Sequence, residues 1–213
     1  MSDWDYGGVH REYDMSGIIE LPNNSLVKVC DWTDDMPEFM READTIFVDP
    51  PWNAGNAKSF YTKADKTVSS FSFEWFSDRL FCRLDQIAPE YLFIEMGKEY
   101  LGFYLERCHE RYKHVTFYNS TYYKKSANKC YVIHATDNYS RRRYKELEDL
   151  DEAAIIEWIC ANHDYQCIGD LCMGRGLVGR HAFLNGRRFV GLELNSKRLA
   201  ILIDFIHKHK EVK

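Results

Sequence analysis

The stretch "CIGDLCMGRGLVGRHAFLNGRRFVGLELN", Cys167 to Asn195, decides the fold. Apolar residues run into Asp170, and a turn carrying Gly174 and Gly176 follows. "LVGRHAFLN" (177–185) then has apolar positions at helical spacing and ends before a glycine. "RRFVGLEL" (187–194) reads as a buried strand that closes on Glu193. Strand, glycine turn, helix and strand in this order make a βαβ unit, the crossover that parallel strands require. Glycines in such a turn let backbone amides approach a ligand at a helix N-terminus. An acid at the end of the next strand can accept hydrogen bonds from both hydroxyls of a ribose. The unit reads as a nucleoside-cofactor site; the plainer reading is a tight strand–helix connection with an incidental acid. "MGRGLVGR" also fits Gly-x-Gly-x-x-Gly through Gly174, Gly176 and Gly179. The turn by itself therefore does not separate nicotinamide cofactors from S-adenosylmethionine (SAM).

Outward from this unit the alternation continues. Strands are expected over 25–31, 45–49, 90–96 and 165–171, and a hairpin over 114–123 and 128–136. Helices are expected over 36–43, 72–88 with Ser72 as N-cap, 97–111, 149–163 and 196–208. The class is α/β: a mostly parallel sheet covered by helices on both faces, with an antiparallel hairpin. One domain spanning 1–213 is expected. At 45% hydrophobic and 15% aromatic residues there is ample material for a core.

No apolar run reaches the length of a membrane span, and the acidic, aromatic N-terminus is unlike a signal peptide. Seven cysteines without a C-x-x-C pair indicate neither a disulfide framework nor a zinc ribbon, so a reduced, cytoplasmic protein with no metal is expected. The net charge of -5 argues weakly against a nucleic-acid partner. Its distribution leaves the matter open. Lys58, Lys63 and Lys66, "YYKKSANK" (122–129) and "SRRRYK" (140–145) are basic, whereas acids gather elsewhere.

The second informative stretch is "TIFVDPPWNAGNAKSFY", Thr45 to Tyr61. An apolar strand runs into Asp49-Pro50-Pro51-Trp52, followed by small and amide residues read as a loop. Adjacent prolines fix two φ angles and forfeit two donors, which suits a place where the backbone must be held rigid. A plain β-edge turn with a core tryptophan is the alternative.

Asp-Pro-Pro-Trp after an apolar strand resembles the catalytic motif of amino-methyltransferases, which methylate exocyclic amines of nucleobases. The glycine segment resembles their SAM motif, Asp-x-Phe-x-Gly-x-Gly. The catalytic motif comes first here, an order similar to the β class of DNA amino-methyltransferases and to messenger-RNA adenosine methyltransferases. The resemblance covers roughly 25–206 and implies a Rossmann-like SAM-dependent methyltransferase fold with circularly permuted motif order. It implies that Asp49 and the Pro50 carbonyl accept hydrogen bonds from the target amine, that Pro51 stiffens the turn and that Trp52 stacks on the base. An exocyclic amine is a poor nucleophile because its lone pair is delocalised, and such acceptors localise it and offset the charge that develops. The resemblance further assigns SAM to Asp31, Asp170, Cys172, Gly174, Gly176, Glu193 and Asn195, with a helix N-cap as the alternative role of Asp31. Asn53, Lys58, Tyr61, Tyr122, Tyr123, Lys124 and Lys125 are the expected substrate contacts, with hairpin packing the alternative for the tyrosines.

The chain departs from the pattern where Cys172 replaces the usual phenylalanine and Leu177 and Val178 replace hydroxyl residues. It also lacks a long target-recognition insert before the helix leading to Asp170. The expected activity is methylation of adenine N6 in DNA. Adenosine in RNA, cytosine, a nicotinamide-dependent oxidoreductase and a non-catalytic partner subunit that positions nucleic acid remain as alternatives. A homodimer or a partner subunit, and a bacterial or phage setting near the nucleoid, accompany that expectation.

Overall fold

The computed structural model describes residues 6–66, 72–122 and 127–210. Among these residues eight strands form one sheet: β1 (Ile18–Leu21), β2 (Ser25–Val29), β3 (Thr45–Val48), β4 (Tyr91–Met96), β5 (His114–Thr121), β6 (Lys129–Thr136), β7 (Cys167–Asp170) and β8 (Arg188–Glu193). Their spatial order is β1-β2-β8-β7-β3-β4-β6-β5. The five strands from β2 to β4 run parallel. Both edges are antiparallel: β1 on β2, and the β5–β6 hairpin on β4.

Among the described residues six α-helices accompany the sheet: α1 (Ala54–Lys63), α2 (Phe73–Ile87), α3 (Leu101–His109), α4 (Glu152–Asn162), α5 (Leu177–Leu184) and α6 (Ser196–Lys210). Period-2 alternation in the buried strands feeds two cores. Phe47, Tyr91 and Phe93 face α4, α5 and α6, whereas Ile46, Val48, Leu92 and Ile94 face α2 and α3. Every residue of β3 and β4 is buried, as strands covered on both faces must be. The caps follow from short polar side chains: Ser72 Oγ accepts from Trp75 N at 3.0 Å, and the Asp151 side chain accepts from Ala154 N at 3.2 Å.

Three local readings are corrected. The segment after Asp-Pro-Pro-Trp is not a loop but α1, started by Asn53, whose Oδ1 accepts from Asn56 N at 2.9 Å. The amide residue with loop chemistry is the helix cap. The helix expected over 36–43 is a short 3-10 turn, Glu38–Glu42, entered through Pro37. Strand β1 is absent from the expected elements. Asn23 and Asn24 both take left-handed φ (62° and 56°), and Ser25 N bonds to Pro22 O at 3.3 Å. That turn folds the N-terminal chain back onto β2.

Candidate functional site

Chain order sets the position of the site. From β7 the chain passes through α5 to β8 on one side, and from β3 through α1 and α2 to β4 on the other. Strands β7 and β3 are neighbours, so the connections diverge between them and leave a crevice at their carboxyl ends. A cavity of about 940 Å³ opens there, with Asp31, Asp49, Asp170, Glu193, Tyr122 and Arg198 in its wall. The two sequence motifs, far apart in the chain, meet at one opening.

Asp49 follows the last residue of β3. Its Oδ1 accepts a hydrogen bond from Trp52 Nε1 at 3.0 Å. Trp52 lies over Gly97, just beyond β4, where an added Cβ would sit 2.9 Å from Trp52 Cε3. Its ring meets Tyr122 edge-on, with centroids 5.1 Å apart. In this arrangement the tryptophan orients the acid, and of the two rings it is Tyr122 that lines the cavity. Pro51 lines it also, and Pro50 is buried behind.

Two further acids converge on Asp49, and neither stands out in the sequence as a site residue. Val48 is paired with Ile94, so the next residues along, Asp49 and Glu95, stand side by side. The alternation of Phe47 and Phe93 turns both toward α4, whose first residue is Glu152. Carboxylate oxygens of Asp49, Glu95 and Glu152 all lie within 4.8 Å of one another. Glu95 has no solvent exposure, and neither of its oxygens has a hydrogen-bond partner. Burial first, then Asp49 and Glu152, hold the Glu95 carboxyl well above the usual range, opposed by the neighbouring Cys130 thiol. Burial pushes Asp49 up to about 7, against the Trp52 hydrogen bond and Arg198. Burial, then the Asp49 and Asp151 charges, push Glu152 up to about 7. The available signal is an acid inside the otherwise apolar run "YLFIEM" (91–96).

The glycine turn is braced by acids. Glu193 Oε2 accepts from Gly174 N at 2.6 Å and Oε1 from Asn195 N at 2.8 Å, while Asp170 Oδ1 accepts from Cys172 N at 2.8 Å. Burial still raises Glu193 to about 7, against the Asn195 amide, Arg198 and the Gly174 amide. Gly176 caps α5 at φ 76°, and a Cβ there would stand 2.7 Å from Leu202 Cβ. Cys172 lines the cavity in place of the expected phenylalanine. Asn195 lines it too, but its side chain is already engaged: Nδ2 donates to Lys63 O at 2.9 Å and Oδ1 accepts from Lys197 N at 2.9 Å, tying α1 to α6.

Asp31 caps its own turn, accepting from Thr33 N at 3.3 Å and Thr33 Oγ1 at 2.6 Å. Tyr61 OH donates to it at 3.1 Å and Lys66 Nζ lies 3.6 Å away. Tyr61 thus lines the cavity as a brace of Asp31. Asn53 and exposed Lys58 stand on the first turns of α1 and are not part of the cavity wall. Tyr123, Lys124 and Lys125 lie outside the described residues. The basic clusters are split between opposite ends of the sheet. Lys63 lines the cavity, whereas Arg141 pairs with Asp164 at 3.3 Å, beyond the start of the parallel strands. Arg143 pairs with Glu148 and donates to Thr116 Oγ1 at 2.6 Å.

No family model and no curated protein matches this chain. Solved structures do. M1.HpyAVI matches with a TM-score of 0.57 at 15% identity, covering 85% of this chain and 98% of that one, and it is also known as a SAM complex. TTHA0409 of Thermus thermophilus, assigned as a DNA modification methylase and solved with SAM, matches at 0.55 with 13% identity, covering 89% and 94%. The cytosine-N4-specific PvuII DNA methyltransferase matches at 0.53 with 9% identity, covering 94% and 98%. At these identities the likeness is one of fold: this α/β chain has a methyltransferase fold.

Proposed function

We propose that the chain is a SAM-dependent DNA methyltransferase acting on the exocyclic N6 amine of adenine. One observation carries the reading: the Asp49 carboxylate and the glycine turn after Asp170 open into the same cavity. Its volume of about 940 Å³ is that of a pocket for a large ligand rather than a metabolite fragment. Two fold neighbours are named as a DNA modification methylase and a DNA methyltransferase, and M1.HpyAVI and TTHA0409 are solved with SAM; both observations add support.

The donor set suits SAM. Glu193, at the end of β8, keeps acceptor capacity for ribose hydroxyls beyond its two backbone bonds. Asp170 and the braced turn hold amides at the cavity wall, and Asp31 with its Tyr61 and Thr33 partners offers an acceptor for the adenine end. SAM when bound supplies an electrophilic methyl group. This chain's own residues do the rest: Asp49 and the Pro50 carbonyl accept from the target amine and localise its lone pair. Tyr122, backed by Trp52, gives an extruded base an aromatic surface, which compensates lost stacking by about 1–3 kcal/mol. Lys58, Asn53 and Lys63 offer phosphate contacts along α1. Asp at the first motif position favours adenine, and a single compact chain without a long recognition insert favours a short target or a partner subunit.

The test is transfer of labelled methyl groups from SAM to duplex DNA, single-stranded DNA and RNA, with Asp49→Ala as control and the product nucleosides separated. N6-methyladenine from duplex DNA, abolished by Asp49→Ala, supports the reading. Label as N4-methylcytosine, or in RNA alone, replaces the substrate and keeps the chemistry. If SAM fails to raise the melting temperature and NAD raises it, the methyltransferase reading falls.

A further inference from the structure

Trp52 Nε1 satisfies one oxygen of Asp49; besides the Arg198 charge, two further acids crowd that carboxyl. Three like charges this close cannot all ionise in a desolvated pocket, as paired carboxylates at other sites show. Glu95 in particular is sealed inside β4 with only the weak Cys130 thiol beside it, an arrangement far more costly for a carboxylate than for an acid. A proton on Glu95 or Glu152 replaces repulsion with a donor that can turn toward Asp49.

We propose that Asp49, Glu95 and Glu152 hold protons in common at neutral pH, with Glu95 positioning the Asp49 carboxyl from behind and Glu152 carrying its proton to the cavity mouth. The inference rests on the methyltransferase reading for its use, though not for its geometry. In the reaction the N–C bond forms as the S–C bond of the sulfonium breaks, and the electron pair stays on sulfur. The amine then sheds one proton. Asp49 accepts it and passes it to Glu152, which is half-buried in the cavity wall and can release it to water. An acid with a lowered pKa would take that proton poorly near neutrality; one matched to the working pH takes it well.

The other charged and titratable groups around the trio, among the described residues, are few. Arg198 of α6 faces Asp49, and Asp170 and Cys172 stand at the end of β7 and its turn. Cys130 of β6 lies beside Glu95, and Asp151 precedes Glu152. Arg198 is the cation among them, and its guanidinium is held over the Phe60 ring at 4.9 Å with Nε donating to Tyr6 OH at 3.3 Å.

Difference infrared spectroscopy of the full chain across pH 5 to 9 tests this without any methyl transfer. The expected result is a protonated-carboxyl band that persists through pH 7 and is lost only above it, diminished in each of Glu95→Gln, Glu152→Gln and Asp49→Asn. A protein whose carboxyls are all ionised at pH 6, or a band unchanged in all three variants, overturns the proposal. So does a band removed by millimolar Mg²⁺ with a rise in melting temperature, because the trio would then be a cation site. With active enzyme, Glu152→Gln should shift the acidic limb of the kcat profile by about one pH unit while the KM for SAM holds. Superimposable profiles overturn the relay. Absence of turnover by the wild-type chain on every nucleic acid strikes the functional reading instead, and the infrared result still decides the shared proton.

Discussion

The two ends of β3 handle buried polar groups in opposite ways. At the amino end, Thr45 is fully buried and its Oγ1 meets His163 Nε2 at 3.3 Å, while the other ring nitrogen of His163 meets Tyr144 OH at 2.9 Å. Burial keeps that imidazole neutral, lowering it to about 4. At the carboxyl end, four residues along, Asp49 meets two acids and one indole N–H. The closed end is built for stability because Thr45, His163 and Tyr144 are partners of one another. The open end keeps acceptors without donors, which a structure retains where a ligand is to supply them.

The largest effect expected from breaking this contrast is catalytic. Asp49→Ala should lower kcat by about 10²–10³-fold in the labelled-SAM assay, the scale for losing one preorganised polar group. It should leave the melting temperature unchanged or higher, since a poorly compensated buried acid is removed. At the closed end, His163→Ala should do the reverse. Loss of packing together with unpaired Thr45 and Tyr144 hydroxyls should cost about 2–4 kcal/mol in chemical denaturation, with SAM affinity retained.

The pH dependence sharpens the comparison, because the two ends carry opposite signs. Asp49 and Glu152 rise from ordinary values of 3.8 and 4.5 to about 7, so the folded state binds more protons than the unfolded between those limits. Their contribution is intact below about pH 4 and is lost as pH rises to about 7. His163 falls from 6.5 to about 4, so its contribution is intact above about pH 6.5 and is lost as pH falls toward 4. Melting curves of Glu152→Gln should therefore diverge upward from wild type between about pH 4 and 7. A constant offset would contradict the raised acid.

Smaller effects test the supports. Gly176→Ala demands a left-handed φ of 76° from an alanine and drives its Cβ into Leu202, so a loss of about 1–3 kcal/mol with weakened SAM binding is expected. Gly97→Ala should displace Trp52 from Asp49 and lower kcat several-fold with little change in stability, as measured by paired kinetics and melting.

Much of this is legible in the chain. The βαβ unit after Cys167 and the Asp-Pro-Pro-Trp strand are local patterns, and period and turn chemistry expose local patterns. Even there, the start of α1 reads as a loop, because Asn53, Ala54, Gly55 and Asn56 carry loop chemistry that the first turn of a helix shares. The role of Trp52 is less accessible: its hydrogen bond to Asp49 is near in sequence, but the floor that holds it, Gly97, comes from beyond another strand.

Sequence by itself determined the alternating α/β order, the two motifs and their permuted sequence, since each depends on residues within one or two elements. Only the tertiary structure decided that the motifs share a cavity, that Asn195 and Tyr61 act as braces in its wall, and that Glu95 and Glu152 join Asp49. The physical reason is strand register. Pairing Val48 with Ile94 puts two carboxyls side by side from distant parts of the chain, and α4 begins where both of them point. No period in the chain encodes that meeting.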